Sequence, residues 1–91
     1  MERVFKVTDE DGIHARPATA LVNTANKFQN TECFAIANER KVTLKSILGL
    51  LSLDLEKGDL ITLSTEGEEA AEALQALTDV MMNEGLGEVY A

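Results

Sequence analysis

The chain has 91 residues, of which 45% are hydrophobic and 26% charged, a composition typical of one folded domain with a modest core. Sixteen acidic and eight basic residues give a net charge of -8, which repels a phosphate backbone and argues against nucleic acid as a direct partner. No apolar run approaches the roughly 20 residues that cross a bilayer, and no signal-peptide core follows Met1, so we expect a single cytoplasmic domain over residues 1–91 without membrane insertion.

The single cysteine and the single histidine exclude an internal disulfide and a zinc site built from several such ligands. The acidic loop Asp9–Asp11 offers oxygen ligands for a hard cation, but it lacks the spacing of a calcium loop, and we expect a solvated turn. Cys33 has no basic neighbour in the sequence and is expected to be inert. The sequence therefore indicates neither a metal nor a cofactor.

The predicted elements begin with a strand at Val4–Thr8, where apolar and polar residues alternate. A helix follows from about Arg16 to Lys27. Two further strands, Cys33–Ala37 and Lys41–Leu44, are joined by the turn Asn38–Arg40. These two strands are expected to contribute four residues to the core: Phe34, Ile36, Val42 and Leu44. Cys33 is expected to face away from that side of its strand.

Ser46 ends the third strand and is a natural N-cap for a short helix from Ile47 to about Leu53. Leu50 and Leu53 are expected to face the sheet. The remaining apolar residues of this helix are predicted to form an exposed patch: Ile47, Leu48 and Leu51. The alternative, equally supported by composition, is that all these residues belong to the core of a small domain.

A fourth strand at Leu60–Ser64 and a last helix that begins near Glu68 complete the order βαββαβα. Gly85 is predicted to stop the helix, and Leu86–Ala91 is expected to be a short tail. Strands this short need a helical layer on one face to bury their apolar side. The predicted fold class is therefore α+β, an open-faced sandwich.

The segment Gly12–Thr19 joins the first strand to the first helix and contains the only histidine and the only proline. Pro17 belongs in the first helical turn, which places His14 just ahead of the helix. The first-turn amides and the helix dipole form an anion site there, and Arg16 adds a guanidinium. A neutral, nucleophilic imidazole beside such a site suggests phosphoryl transfer, while the alternative is that His14 only caps the helix and Arg16 is solvated.

The octet Gly12-Ile13-His14-Ala15-Arg16-Pro17-Ala18-Thr19 resembles the active-site signature of the HPr family, the histidine-containing phosphocarriers of the bacterial sugar phosphotransferase system. The segment Leu44–Leu53 resembles the regulatory-serine segment of that family, and Glu66–Ala71, at the start of the last helix, is similar too. The resemblance covers the whole chain. It implies a four-stranded antiparallel sheet covered on one face by three helices, with the histidine loop and the serine-bearing helix at the same edge.

The resemblance implies that His14 accepts a phosphoryl group from phosphorylated enzyme I and passes it to the A domains of the enzymes II. The protein would then be a carrier and not an enzyme. In the family the phosphate is bound to Nδ1 of the histidine, close to free amides that would here belong to Ala15, Arg16 and Ala18. Arg16 would neutralise charge on the transferring group.

The resemblance also implies that Ser46 is phosphorylated by an HPr kinase/phosphorylase, which links the protein to catabolite repression. Catabolite control protein A is the implied partner of that phosphorylated form. The surface that docks enzyme I and the enzymes II is expected to include seven residues: Thr19, Ala20, Asn23, Lys45, Ile47, Leu48 and Leu51.

Three alternatives are compatible with parts of the pattern. A purely regulatory relative keeps the serine and lacks the histidine, and His14 argues against it. An adaptor module would use Ser46 and the apolar patch without phosphotransfer. The nitrogen-related branch of the phosphotransferase system is disfavoured by Lys45–Gly49, which looks more like the sugar branch. One departure from the family is expected, because the turn Asn38–Arg40 looks one residue longer than usual.

Overall fold

The computed structural model describes all 91 residues. It contains the strands β1 (Glu2–Val7), β2 (Thr31–Ala37), β3 (Arg40–Thr43), β4 (Leu60–Gly67) and β5 (Gly87–Val89), and the helices α1 (Ala15–Ala25), α2 (Ile47–Leu51) and α3 (Ala70–Asn83). The strands form one sheet in the order β3-β2-β4-β1-β5, with every neighbouring pair antiparallel. The predicted open-faced α+β sandwich is confirmed, and the structure adds a fifth strand.

The fifth strand comes from the segment that was expected to be a tail. Gly87 pairs with Val7 and Val89 with Phe5. A Cβ at Gly87 would lie 2.6 Å from the carbonyl oxygen of Lys6, so only glycine allows this close approach. The extra strand covers the edge of β1, which would otherwise be left with unpaired backbone groups.

A cluster of 21 buried apolar residues lies between the sheet and the helices. Phe5 of β1 and Leu63 of β4 are fully buried in it, as are Leu21 of α1 and Leu77 of α3. Leu50 and Leu53, which were predicted to face the sheet, are 1% and 2% exposed. The predicted burial of Leu50 and Leu53 is therefore confirmed, and β1, β4, α1 and α3 each bury one face in the same cluster.

The prediction for β2 is wrong, because the opposite face of this strand is buried. Cys33, Ala35 and Ala37 point into the core, whereas Phe34 and Ile36 are half-buried on the open face of the sheet. All five residues are apolar, so the sequence has no alternation that could set the face of the strand. The small side chains lie on the side against which the helices pack.

The prediction for β3 is correct in part. Leu44, just after the strand, is completely buried, but Val42 is only half-buried and packs against the edge of the core. The position of β3 at the end of the sheet explains the difference, since an edge strand has a neighbour on one side only.

The turn between β2 and β3 has two residues and not the three that were predicted. Ala37 pairs directly with Arg40, and the residues between them, Asn38 and Glu39, have φ angles of 51° and 64°. Two positive φ angles are characteristic of a primed hairpin turn, whose twist matches that of the strands. The expectation of a longer turn over Asn38–Arg40 is therefore wrong, because Arg40 already belongs to β3.

The helices are somewhat shorter than predicted. The first ends at Ala25 with Asn26 as its C-cap, and α3 begins at Ala70 and not near Glu68. Gly85, with a φ of 64°, follows the last helical turn and ends α3 as predicted. None of the helices has the length and apolarity that a membrane crossing requires.

Candidate phosphoryl-transfer site

His14 is the N-cap residue of α1, with an extended backbone (φ -98°, ψ -177°) and no side-chain hydrogen bond to the helix. Two neighbours fix its position. Gly12 has a φ of 66°, and a Cβ there would lie 1.9 Å from the carbonyl oxygen of Leu55, so only glycine fits. Ile13 is 6% exposed and belongs to the core. Gly12 and Ile13 thus fix the loop against the core. The side chain of His14 is 45% exposed and lies at the surface.

The N-terminus of α1 presents fewer free amides than predicted. The amide of Ala18 donates to the carbonyl oxygen of His14 at 2.9 Å, which is the first hydrogen bond of the helix. The prediction that Ala18 contributes a free amide is therefore wrong. Pro17 has no N–H, so the amides without an acceptor in the protein are those of Ala15 and Arg16.

Arg16 is exposed, and neither of the two ion pairs in the structure includes it. Its side chain also donates no hydrogen bond to the rest of the protein, so the guanidinium is available to an anion at the end of α1. Arg16 and the free amides thus lie at the same helix terminus as His14, which is the arrangement that the octet predicts.

Two acidic side chains of the preceding loop lie unexpectedly close to His14. The ligand atoms of Asp9, Asp11 and His14 lie within 4.8 Å of one another. The closest contact joins Oδ2 of Asp9 to Nε2 of His14 at 3.7 Å. Asp11 and His14 are exposed, and such groups are common without an ion. The sequence predicted a solvated turn here and missed Asp9 as a neighbour of the imidazole.

Ser46 is the N-cap of α2, and its Oγ accepts a hydrogen bond from the amide of Gly49 at 3.1 Å. The predicted capping role is confirmed. The side chain is half-buried, and its hydroxyl caps the helix.

Ser46 and His14 lie near opposite ends of α1. The side-chain amide of Asn26, at the C-terminal end of α1, donates to the carbonyl oxygen of Lys45 at 3.4 Å. Since a helix rises 1.5 Å per residue, the 11 residues of α1 separate the two ends by about 17 Å. The helices α1 and α2 are in contact, and no hydrogen bond joins His14 to Ser46.

The predicted docking patch is less exposed than expected. Leu48 is 78% exposed, whereas Ile47 and Leu51 are half-buried and pack against the core. Both readings of this helix are thus partly correct, because Leu48 alone is fully at the surface. On the neighbouring face of α1, Thr19 and Asn23 are exposed and Ala20 is half-buried.

Lys45, which is expected in the docking surface, is held by a backbone carbonyl. Its Nζ donates to the carbonyl oxygen of Phe28 at 2.9 Å, just beyond the end of α1, and the side chain is half-buried. The same carbonyl oxygen accepts from the amide of Thr31 at 3.2 Å, so the ammonium of Lys45 is its second donor.

Burial raises the pKa of the Cys33 thiol, and the positive charge of Lys45 lowers it by a smaller amount. The thiol is therefore protonated and enclosed, which agrees with the prediction of an inert cysteine. The sequence did not reveal Lys45 as its basic neighbour, because the two residues come together only through the pairing of β2 with the chain after β3.

Comparison with known proteins gives consistent matches over the chain. The family described as the PTS HPr component phosphorylation site matches residues 1–83. A histidine-containing phosphocarrier protein from Mycoplasma is 34% identical, with a TM-score of 0.92, and the match covers 96% of this chain and 98% of that chain. A phosphocarrier protein HPr from Bacillus anthracis is 38% identical, with a TM-score of 0.79 over 88% and 94%.

A third structural match is Crh, a catabolite repression protein of Bacillus subtilis whose structure is an intertwined, domain-swapped dimer. It is 38% identical to this chain, with a TM-score of 0.72, and the match covers 87% of this chain and 90% of that one. The relatives thus include both phosphocarriers and a protein of catabolite repression.

Proposed function

Because this chain belongs to the HPr family, whose members carry phosphoryl groups and are not themselves enzymes, we propose that His14 is the residue that is phosphorylated. The family implies interaction with enzyme I and with enzyme II components. His14 accepts the phosphoryl group from phosphorylated enzyme I and passes it to the A domains of the enzymes II.

The observation that supports this proposal most strongly is the exposed imidazole at an uncapped helix N-terminus. The side chain of His14 makes no hydrogen bond to the helix, and the amides of Ala15 and Arg16 beside it have no acceptor in the protein. A carrier must receive its phosphate and then release it, so the site has to be open to two successive partners. The protein has no pocket, and the transferring group is enclosed only while a partner covers it.

In the proposed transfer, the lone pair of Nδ1 of His14 forms the bond to phosphorus while the bond between phosphorus and the donor breaks. The negative charge on the phosphoryl oxygens is stabilised by the free amides of Ala15 and Arg16 and by the guanidinium of Arg16. These groups are in place before the partner arrives, so little reorganisation is needed at the moment of transfer.

Ser46 is proposed as a regulatory site for an HPr kinase/phosphorylase, with catabolite control protein A as the partner of the phosphorylated form. The relationship to Crh supports a link with catabolite repression. The length of α1 between the two residues, about 17 Å, exceeds the screening length of about 8 Å at physiological salt. A phosphate on Ser46 therefore acts on the partner that covers this surface and not directly on the imidazole.

The proposed docking surface is centred on Leu48 and flanked by the exposed face of α1. A fully exposed leucine contributes little to the core but much to an interface that buries it. The other members of this surface are half-buried or polar: Thr19, Ala20, Asn23, Ile47 and Leu51.

Incubation with phosphoenolpyruvate and enzyme I tests the central proposal. We expect the protein to gain one phosphate that is labile in acid, stable in base and located on His14. The His14→Ala variant is the control, and it should keep the native fold because the side chain lies outside the core. A phosphate gained equally by this variant would refute the assignment, and a wild-type protein that gains none would favour the adaptor alternative.

A further inference from the structure

We propose that Asp9 is a positioning residue for His14, which holds the proton of the neutral imidazole on Nε2 and leaves the lone pair of Nδ1 free for the phosphoryl group. The part of this statement that concerns Nδ1 depends on the proposed function. The selection of one tautomer by Asp9 depends only on the geometry of the loop.

The loop fixes the carboxylate of Asp9 with one oxygen towards the imidazole. The amide of Gly12 donates to the carbonyl oxygen of Asp9 at 3.0 Å, which turns the chain back towards its start. The amide of Asp11 donates to Oδ1 of Asp9 at 2.9 Å. Because Oδ1 is occupied, Oδ2 is the oxygen that faces the ring, at 3.7 Å from Nε2 of His14.

Burial distinguishes Asp9 from the other acid near the ring. The side chain of Asp9 is 23% exposed, and its carboxylate is held by the backbone. Asp11 is exposed, and its carboxylate accepts no hydrogen bond. An ordered, partly desolvated carboxylate interacts more strongly with a neighbouring ring than a mobile, solvated one.

The contact is longer than a hydrogen bond, for which N···O distances reach about 3.2 Å. Hydrogen bonds of this type are often long in a free protein and shorten when the partner binds and excludes water. A small rotation of the exposed imidazole towards Asp9 closes the gap without any movement of the helix. We therefore expect the hydrogen bond to be strongest when enzyme I covers the site.

A carboxylate next to Nε2 has a simple chemical consequence. A neutral imidazole has a proton on only one nitrogen, and an ionised carboxylate can only accept a hydrogen bond. Asp9 thus favours the tautomer with the proton on Nε2. During transfer the Nδ1 lone pair forms the N–P bond, the pair of the breaking bond stays with the donor, and Nε2 keeps its proton. Asp9 also stabilises the positive charge that the ring then acquires.

Nitrogen-15 NMR of the histidine side chain tests this assignment, because the two tautomers have different chemical shifts. The spectra are recorded at a pH high enough for the imidazole to be neutral, with a chelator present to exclude bound metal. We expect the wild-type protein to have the proton almost entirely on Nε2. In Asp9→Asn, the amide oxygen still accepts from Asp11 while the NH₂ group faces Nε2, so the Nδ1–H tautomer should increase.

Two variants with the same loss of charge in the same loop are the controls. Glu10→Gln and Asp11→Asn should leave the tautomer ratio unchanged. A second test variant, Asp9→Ala, removes the acceptor without adding an NH₂ donor, and its ratio should move to that of a histidine peptide. An unchanged ratio in Asp9→Asn and Asp9→Ala, or an equal change in Asp11→Asn, would overturn the assignment.

Kinetics then connect the tautomer to transfer. Since the wrong tautomer has no lone pair on Nδ1, kcat for phosphorylation of Asp9→Asn by enzyme I should fall about tenfold while KM changes little. An equal kcat despite a changed tautomer ratio would remove the role of Asp9 in transfer. A wild-type protein that has the Nε2–H tautomer but gains no phosphate would instead contradict the proposed function alone.

Discussion

The N-termini of α1 and α2 differ in whether the residue before the helix binds a backbone amide of the first turn. At α1 the residue before the helix is His14, whose side chain makes no hydrogen bond to the helix. At α2 it is Ser46, whose Oγ accepts from the amide of Gly49. A helix terminus can either use its free amides for an external anion or satisfy them with its own side chain. Both helices leave the amides of their first two residues without an acceptor, so the difference lies at the third residue, which is Pro17 in α1 and the capped Gly49 in α2.

This difference bears on the two phosphorylations proposed above. A phosphoryl group on His14 would meet amides that have no other acceptor, and no capping hydrogen bond of the His14 side chain would be lost. A phosphoryl group on Ser46 would esterify the hydroxyl that caps a helix of 5 residues, and its oxygens could accept from the same amide.

The largest expected effect comes from adding charge at the capped end. Ser46→Asp keeps an oxygen that can cap α2 but places a negative charge beside the surface that enzyme I must cover. We expect the rate of His14 phosphorylation to fall about hundredfold with a nearly unchanged melting temperature, because an unpaired charge that is desolvated at an interface costs several kcal/mol. Ser46→Asn, which caps without charge, is the control, and equal rates in the two variants would leave Ser46 with only its capping role.

A smaller effect is expected from reversing the charge at the uncapped end. Arg16→Glu replaces a cation that stabilises the transferring group with an anion that repels it. Both loading by enzyme I and unloading to an enzyme II A domain should slow about tenfold. Lys27→Glu makes the same change in charge beyond the opposite end of α1, and it should leave both rates close to those of the wild type. Equal slowing in the two variants would indicate a general effect of net charge.

The start of each of these helices could be predicted because the signals are local. Pro17 is confined to the first turn of a helix, and a serine before an apolar run is a strong N-cap. Gly12 marks the turn that precedes His14, although the sequence does not reveal that Leu55 is the reason for it. Chemistry that depends on a few consecutive residues is therefore accessible from the sequence.

The features that were missed depend on contacts between distant segments. Ala35 faces the core together with its partner Leu63 on β4, and nothing in the β2 sequence indicates that pairing. Lys45 was expected at the surface, but the carbonyl of Phe28 is close enough to bind its ammonium. Asp9 lies close to His14 because the loop between them turns back, and the sequence has no helical or strand spacing that would predict this contact.

The variant Leu48→Asp tests the proposed docking surface. Leu48 is 78% exposed, so a charge there should cost little stability but should weaken the complex with enzyme I about tenfold. Leu60→Asp is a matched control, because Leu60 is 45% exposed and lies on the sheet and not on the helices. A loss of folding in Leu48→Asp without any binding defect would place this leucine in the core and not in the interface.

The smallest expected effect is on folding stability, and it compares the N-terminal residues of α1 and α2. Ser46→Ala leaves the amide of Gly49 without its acceptor and should lower the free energy of unfolding by about 1 kcal/mol. His14→Ala removes no capping hydrogen bond and should change it by less than about 0.5 kcal/mol.

Urea denaturation of the two single variants and the double variant measures these differences. Because the two sites lie about 17 Å apart, their effects on stability should be additive. Equal losses in the two single variants would mean that His14 stabilises α1 after all. The N-terminus of α1 would then resemble that of α2, and the phosphoryl group would have to displace an existing contact before it could bind.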